Sequence, residues 1–344
     1  MLTDMKIKRY IEKFLNKALA PFKRNSKIDA KTYSNILLKV AGRNTYIETL
    51  TNKADSFHRR VENSYEESII NSFIKLISKL VKYTRLTNVK LAIDLTDEDF
   101  YGKTSNLWIH GWTGEKGIKG KFKYLVLSRV DEFKIPIMAL PFHAGMNVSK
   151  AINFLLELAR KLFRSISVVL FDRGFYSGET IQLLENLKIN YLMFIPKNKA
   201  IQRYLEETQS FSSREVEHEI KWNANNTWNK IKTKLVLIKD FIDKNNKIYD
   251  WCFATNLSFA DANEFIFLYK KRWQIETNFR VMDEAKIKSK SVIYLIRYFY
   301  FMFSLLLHAL WLIFGKKIQF KRFIYELENL FGFEFLGLRY VSII

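Results

Sequence analysis

The sequence predicts an α/β chain in which helical ends enclose a mixed sheet. Three observations carry this. Residues 1–85 repeat their apolar side chains at helical spacing. From Asn88, short runs rich in branched apolar residues alternate with amphipathic helical stretches. From about Ala260, helical periodicity returns. With 344 residues, 48% of them hydrophobic, the chain has material for about two domains and cannot be wholly disordered. Its one Cys cannot form an internal disulfide, and no CxxC or Cys/His cluster is present to hold zinc.

In the first helical part, Ile70, Phe73, Ile74, Ile77, Leu80 and Val81 form one apolar stripe. Asn44-Thr45-Tyr46 can cap a short helix, and Thr51-Asn52-Lys53 breaks before a second one carrying His58-Arg59-Arg60. Two short helices with a basic second member fit a helix-turn-helix or a plain bundle with a solvated face. Charge adds to this. Lys+Arg 56 against Asp+Glu 35 gives +21, and 18 against 8 in residues 1–85 places +10 there. A magnitude of about 2–8 suffices to keep a small domain soluble. Such an excess concentrates polyanions, so nucleic acid or an anionic membrane is the expected partner. A codon bias towards Lys, Asn and Ile is the alternative source. Met1-Leu2-Thr3-Asp4-Met5-Lys6 lacks an apolar signal core, which predicts the reducing interior of a cell.

Residues 89–95 read as a buried strand ending in a carboxylate, Asp94, and strands at 122–130 and 135–142 follow. An amphipathic helix over 148–163 leads to a strand over 166–171, which again ends in a carboxylate, Asp172. A helix over 179–187 and a strand over 191–195 complete the run. Alternation in 215–222 and 231–238, around Asn223-Ala224-Asn225-Asn226, predicts an inserted β-rich module whose last strand is 251–256. Residues 291–314 are almost wholly apolar and long enough to span a bilayer. They contain Arg297 and His308, and an Arg at mid-membrane costs at least about 2.5–3.5 kcal/mol. The segment is therefore read as a buried core helix. The resulting division is a basic helical domain at 1–87, core segments at 88–196 and 257–314, the β-rich insertion at 197–256 and a helical tail at 315–344.

This chain order matches the ribonuclease H-like fold, in which the first and fourth strands lie side by side. Asp94 and Asp172 would then meet, and two close carboxylates are tolerable when cations sit between them. Oxygen-only ligands favour magnesium or manganese. Tyr269, Arg272 and Glu276 are spaced by three and four and share one helical face. That face offers a phenol, a phosphate-binding fork and a third carboxylate.

Leu91-Ala92-Ile93-Asp94-Leu95-Thr96, Leu170-Phe171-Asp172-Arg173-Gly174-Phe175-Tyr176-Ser177 and Tyr269-x-x-Arg272-x-x-x-Glu276 resemble the three signature blocks of DDE transposases. Within them the chain looks like the YREK-signature insertion-sequence branch, in an archaeal-looking subgroup. The resemblance runs from about 88 to 314, with the acids 78 and 104 residues apart and the β-rich insertion between the last two. It implies that Asp94, Asp172 and Glu276 are catalytic and hold two Mg²⁺ (or Mn²⁺) ions about 3.5–4 Å apart. One ion would activate water and then the freed 3′-hydroxyl, and the other would stabilise the leaving oxygen. It further implies that Tyr269 and Arg272 grip the phosphate beside the cut, with Arg173 as a helper. Trp251, on the last insertion strand, matches an aromatic that stacks on a flipped base in relatives; a core Trp is the alternative. Trp108, Trp112 and His143 read as loop or core residues. One departure is plain. The family's Lys seven residues after the Glu is Asp283 here. Lys286 is the nearest later candidate, about 80° from Glu276 around an ideal helix, with Lys288 and Arg280 as others.

The expectation is a transposase that cleaves the ends of its insertion sequence and joins them to target DNA. Its implied partners are double-stranded DNA, as terminal inverted repeats and target, and a second copy of the chain, with no membrane. Its implied place is the cytoplasm of a prokaryote, at the nucleoid. A ribonuclease H-like nuclease without strand transfer, an impaired transposase-derived DNA-binding protein and a membrane-associated basic protein are the rivals.

Overall fold

A computed structural model describes residues 2–22, 29–103, 106–111, 117–224 and 226–335. Four helices come first: α1 (Leu2–Ala18), α2 (Ala30–Gly42), α3 (Ala54–Glu62) and α4 (Glu66–Leu80). Strand β1 (Val89–Phe100), the short β2 (His110–Gly111), β3 (Gly120–Arg129) and β4 (Pro136–Phe142) lead to α5 (Val148–Leu162) and β5 (Ile166–Phe171). Then come α6 (Gly178–Asn186), β6 (Tyr191–Phe194), α7 (Lys199–Glu206), β7 (Ser213–Ala224), β8 (Thr227–Ile242) and β9 (Ile248–Thr255). Helices α8 (Ala262–Lys270), α9 (Gln274–Met282), α10 (Tyr294–Leu310) and α11 (Phe320–Phe335) close the described chain.

Among the described residues nine strands form one sheet, β2-β3-β1-β5-β6-β9-β8-β7, with β4 on β3. Its first five long strands thus stand in the order β4-β3-β1-β5-β6, with β1, β5 and β6 parallel and β3 and β4 antiparallel. This is the ribonuclease H-like path. The run Val89–Ile93 is buried because it lies mid-sheet with helices over both faces.

Two expectations change in detail. The first strand does not end near Asp94 but continues to Phe100, opposite Gly120 of β3. Asp97-Glu98-Asp99 has poor strand propensity, but neighbours neutralise it: Lys121 bridges Asp97 and Asp99, and Glu98 is buried against Arg297. The β-rich segment extends the same sheet, since β9 pairs with β6 at Leu192, Met193 and Phe194. Helix α7, capped by Asn198, stands in a stretch read as β-rich.

Of the two readings for the early helices, the packing is that of a bundle. The first of the pair is a single 3-10 turn, Ile47–Thr49. In α3, Ala54, Phe57 and Val61 are buried, and Arg60 lies over the Phe22 ring while donating to the Ala20 and Pro21 carbonyls. Phe14 of α1 meets Phe73 of α4 and stacks on Phe299 of α10. Each such ring is worth about 1.5–3 kcal/mol when buried. One apolar core therefore runs from Ile7 to Leu327, and α11 returns onto α2. Residues 294–315 are long and apolar enough to cross a membrane, yet α10 is almost wholly enclosed by protein. The helical tail is described to Phe335, and Trp112 lies outside the described residues.

Candidate active site

The parallel ladder of β1 and β5 ends at the pair Ile93–Phe171. Asp94 and Asp172 are the next residue on each strand, so chain topology alone sets them side by side. Asp94 accepts a bond from the Leu95 N–H at 2.9 Å. Asp172 precedes the 3-10 turn Arg173–Phe175, whose Phe175 N–H donates to the Asp172 carbonyl.

The third block lies on α8, a 3-10 turn (Lys271–Trp273) and α9, which run on without a break. Asp261 starts this unit by accepting from the Asn263 and Glu264 N–H groups. Tyr269 and Arg272 are buried against the sheet, and Glu276 is exposed. Arg272 joins the carboxylates: one Nη donates to Asp94 Oδ2 and the other to Glu276 Oε1 at 3.0 Å. The Tyr269 hydroxyl donates to Asp172 Oδ1 at 3.3 Å. Arg272 Nε is buried with no acceptor among the described residues.

Burial pushes the Asp94 carboxyl up to about 6, with Asp172 and Glu276 adding to the effect and Arg272 and the Leu95 N–H opposing it. Burial pulls the Arg272 guanidinium down, but Asp94, Tyr269 and Asp172 outweigh it and leave it raised. The donor set is carboxylate oxygen, which suits a hard divalent cation. Among the described residues no three His, Cys, Asp or Glu side chains form a ready-made metal cage. The guanidinium of Arg272 is the positive charge that joins Asp94 to Glu276.

The other expected residues fall into two groups. Trp251 lies in the site wall, 6.0 Å from Tyr269 and packed on Phe194 and Phe253, with Lys270 Nζ 5.9 Å from its ring. Its Nε1 is buried without a partner among the described residues. Arg173 is exposed beside Asp172, and Arg280 is exposed one turn beyond Glu276. Lys286 is not on a helix continuing from Glu276. Helix α9 ends at Met282, a 3-10 turn follows, and Lys286 is extended, so the 80° angle does not apply. It pairs with Asp283 at 3.6 Å, and Lys288 is held by a bridge to Tyr46. Trp108 stacks on Tyr294 and His143 meets its edge, which makes both packing residues. Glu98 was not singled out from sequence, although a lone Arg297 in an apolar helix signals a buried anionic partner.

Residues 91–312, nearly two thirds of the chain, match the transposase DDE domain family. No curated protein matches the sequence. Seven chains of solved structures match the fold. One is the piggyBac transposase, in a cryo-EM structure of its synaptic complex with hairpin DNA. It is 14% identical with a TM-score of 0.61, over 97% of this chain and 77% of that one, and at this identity the likeness establishes the fold. With a ribonuclease H-like sheet and a family match over residues 91–312, which include Asp94, Asp172 and, on α9, Glu276, the chain belongs to the DDE transposase family and is a transposase enzyme.

Proposed function

We propose that this transposase cleaves DNA at the ends of its insertion sequence and transfers the freed strands to target DNA, with Asp94, Asp172 and Glu276 as ligands of two Mg²⁺ or Mn²⁺ ions. The observation that carries this is the joint tethering of the three carboxylates by Arg272 and Tyr269. Bound there, the ions would polarise the scissile phosphate and lower the pKa of an attacking water. The Tyr269 hydroxyl orients Asp172. Arg272 spends one N–H of each terminal nitrogen on Asp94 and Glu276, and its other terminal N–H groups can donate to a phosphate oxygen. Asp94→Ala, Asp172→Ala or Glu276→Ala should each abolish cleavage of an end duplex while leaving its binding largely intact. Near-wild-type cleavage by any one variant would falsify that residue's role.

The spacing Tyr269-x-x-Arg272-x-x-x-Glu276 supports placement in the YREK branch, in the archaeal-looking subgroup, and Trp251 beside Tyr269 suits a base-stacking role there. Residues 1–87 serve as the DNA-binding part, the segments 88–196 and 257–314 as the catalytic core, and 197–256 as its insertion. Terminal inverted repeats and target DNA are the partners, a dimer on DNA the working form, and the cytoplasm the place. Lys13 and Lys17 of α1 and Lys75 and Lys79 of α4 are all exposed on two packed helices. Lys75 is the main cause that pulls the Lys17 ammonium down, with Lys79 and Lys13 adding to it. Such crowding of like charge favours a polyanion. If six to ten phosphates are contacted, end affinity falls about 10³–10⁵-fold between roughly 50 and 200 mM salt. A slope near zero on a log–log plot sinks the nucleic-acid reading of the charge.

A second reading has one specific observation behind it. Asp283 stands where the branch has Lys, which favours an impaired, DNA-binding copy. Recovery of cleavage by Asp283→Lys in an otherwise inert protein would select it.

A further inference from the structure

We propose that Arg297 is a positioning residue for the carboxylate site, fastening the Asp94 strand to the chain that leaves the Glu276 helix. The proposal rests on the metal-ligand reading of Asp94 and Glu276 given above. Asp94, Thr96 and Glu98 alternate along β1 and so share one face of that strand. Arg297, on α10, reaches this face from the other side of the chain. One Nη donates to Glu98 Oε1 at 2.7 Å, the other to the Ser289 carbonyl at 2.8 Å, and Nε to the Ser291 carbonyl at 2.6 Å. Ser289 and Ser291 lie in the segment that follows α9 and precedes α10. A single guanidinium therefore grips the Asp94 strand, the chain beyond Glu276, and α10.

The grip is enclosed, and every guanidinium nitrogen has an acceptor. The two side chains are 3% and 9% exposed. Tyr124 donates to the remaining Glu98 oxygen at 3.2 Å, and the Phe122 and Phe100 rings lie 4.6 and 5.5 Å from the guanidinium carbon. Beside it, Thr96, Glu98, Phe279, Met282 and Ser304 line a cavity of about 20 Å³, the space of one water. The end of the Glu276 helix thus faces the Glu98 stretch of β1 across a gap of about one water. Pure stability does not require this choice, because a buried ion pair can commonly be replaced by apolar residues of equal volume. What the ion pair adds is direction: three donors fix three segments at once, and carboxylates that share cations need their spacing fixed. Groups bonded directly to metal ligands typically change metal affinity or activity by about 10–100-fold when removed, and a fastening one step further out is expected at the lower end of that range.

The test is Arg297→Met combined with Glu98→Met, which keeps the volume and removes both charges. Melting temperature, Mn²⁺ binding by electron paramagnetic resonance, and cleavage of an end duplex are read together. The expected result is a melting temperature close to wild type, a Mn²⁺ midpoint raised about tenfold, and cleavage lowered about tenfold and partly recovered at high Mn²⁺. Arg297→Lys keeps the charge but not the three-way fork, and is expected to fall between the two proteins. A folded double variant with an unchanged Mn²⁺ midpoint overturns the proposal. Should the double variant not fold, an unchanged midpoint in folded Arg297→Lys overturns it. If neither folds, the pair is a folding element and the proposal fails. Asp94→Ala is measured alongside: Mn²⁺ binding unaltered there defeats the metal-ligand reading itself, whatever Arg297 does.

Discussion

Arg272 and Arg297 both meet carboxylates on the Asp94–Glu98 face of β1, and they differ in how much of their bonding capacity is left over. Arg297 has an acceptor for Nε and for both terminal nitrogens, the Glu98 bond buried and the two carbonyl bonds half-buried. Arg272 spans Asp94 and the exposed Glu276, keeps a buried Nε without an acceptor, and sits where burial has already pushed the Asp94 carboxyl up to about 6. An arginine whose every nitrogen is engaged by buried or half-buried protein acceptors is held in place. Under the proposed function, Arg272, bridging a buried and an exposed carboxylate, is the one that exchanges partners when a phosphate arrives. The two arginines thus differ in their bonding because their surroundings differ.

The comparison breaks most easily at Arg272. Arg272→Lys keeps the charge, but a single ammonium cannot span Asp94 and Glu276 and also donate to a phosphate. Cleavage should fall about 10²–10³-fold, the scale for losing one preorganised donor at a reacting centre. End binding should hardly change. A lysine variant that cleaves normally would make Arg272 another structural arginine, like Arg297.

A buried base three turns further along α10 sharpens the contrast. His308 is fully buried, and neither ring nitrogen has a partner among the described residues. Burial pushes its pKa down to about 3, so it gives up its charge where Arg297 keeps one. The unfolded chain takes up this proton near pH 6.5, so stability is full above that value and is lost as pH falls from 6.5 towards 3. At pH 5 the loss is about 2 kcal/mol. His308→Phe should flatten that limb of a stability–pH curve measured by urea unfolding. An unchanged slope would assign the acid sensitivity elsewhere.

The smallest effect is expected at the exposed pair Asp283–Lys286, whose side chains are 65% and 26% exposed. Asp283→Lys removes a repulsion towards DNA phosphate and releases Lys286 from its partner. End binding should tighten by about 1 kcal/mol at most, as for hydrated ion pairs. Lys286→Ala should matter less once Asp283→Lys is present, because two cations on one phosphate are not independent. Full additivity would mean that they touch different phosphates or none.

Much of the molecule was legible in its sequence, and the reasons are local. The Ile166–Phe171 run, the amphipathic pattern of α5 and the Asp172 and Asp94 strand positions depend on period and propensity within a few residues. The spacing of Tyr269, Arg272 and Glu276 put them on one helical face, and the structure keeps them together because the 3-10 turn joins α8 to α9 without a break. Failures came where distant residues overrule local preference. Asp97-Glu98-Asp99 extends β1 only because Lys121 and Arg297, 24 and 199 residues away, neutralise it. Lys286 left the helical wheel because α9 stops at Met282, where the Asp283 carbonyl is engaged by Asn44 from the far N-terminus.

The sequence by itself determined the order of the core strands and helices, though not α7 or β2, the excess of positive charge and which acids stand at strand ends that chain topology brings together. Those properties follow from side-chain periodicity and composition, which are written along the chain. Tertiary structure alone decided that residues 1–87 share a core with α10 and α11, that β9 extends the main sheet, and that Nε has an acceptor in Arg297 but none among the described residues in Arg272. Each of these depends on contacts between segments far apart in the chain, and the strength of a charge depends on whether water or protein surrounds it.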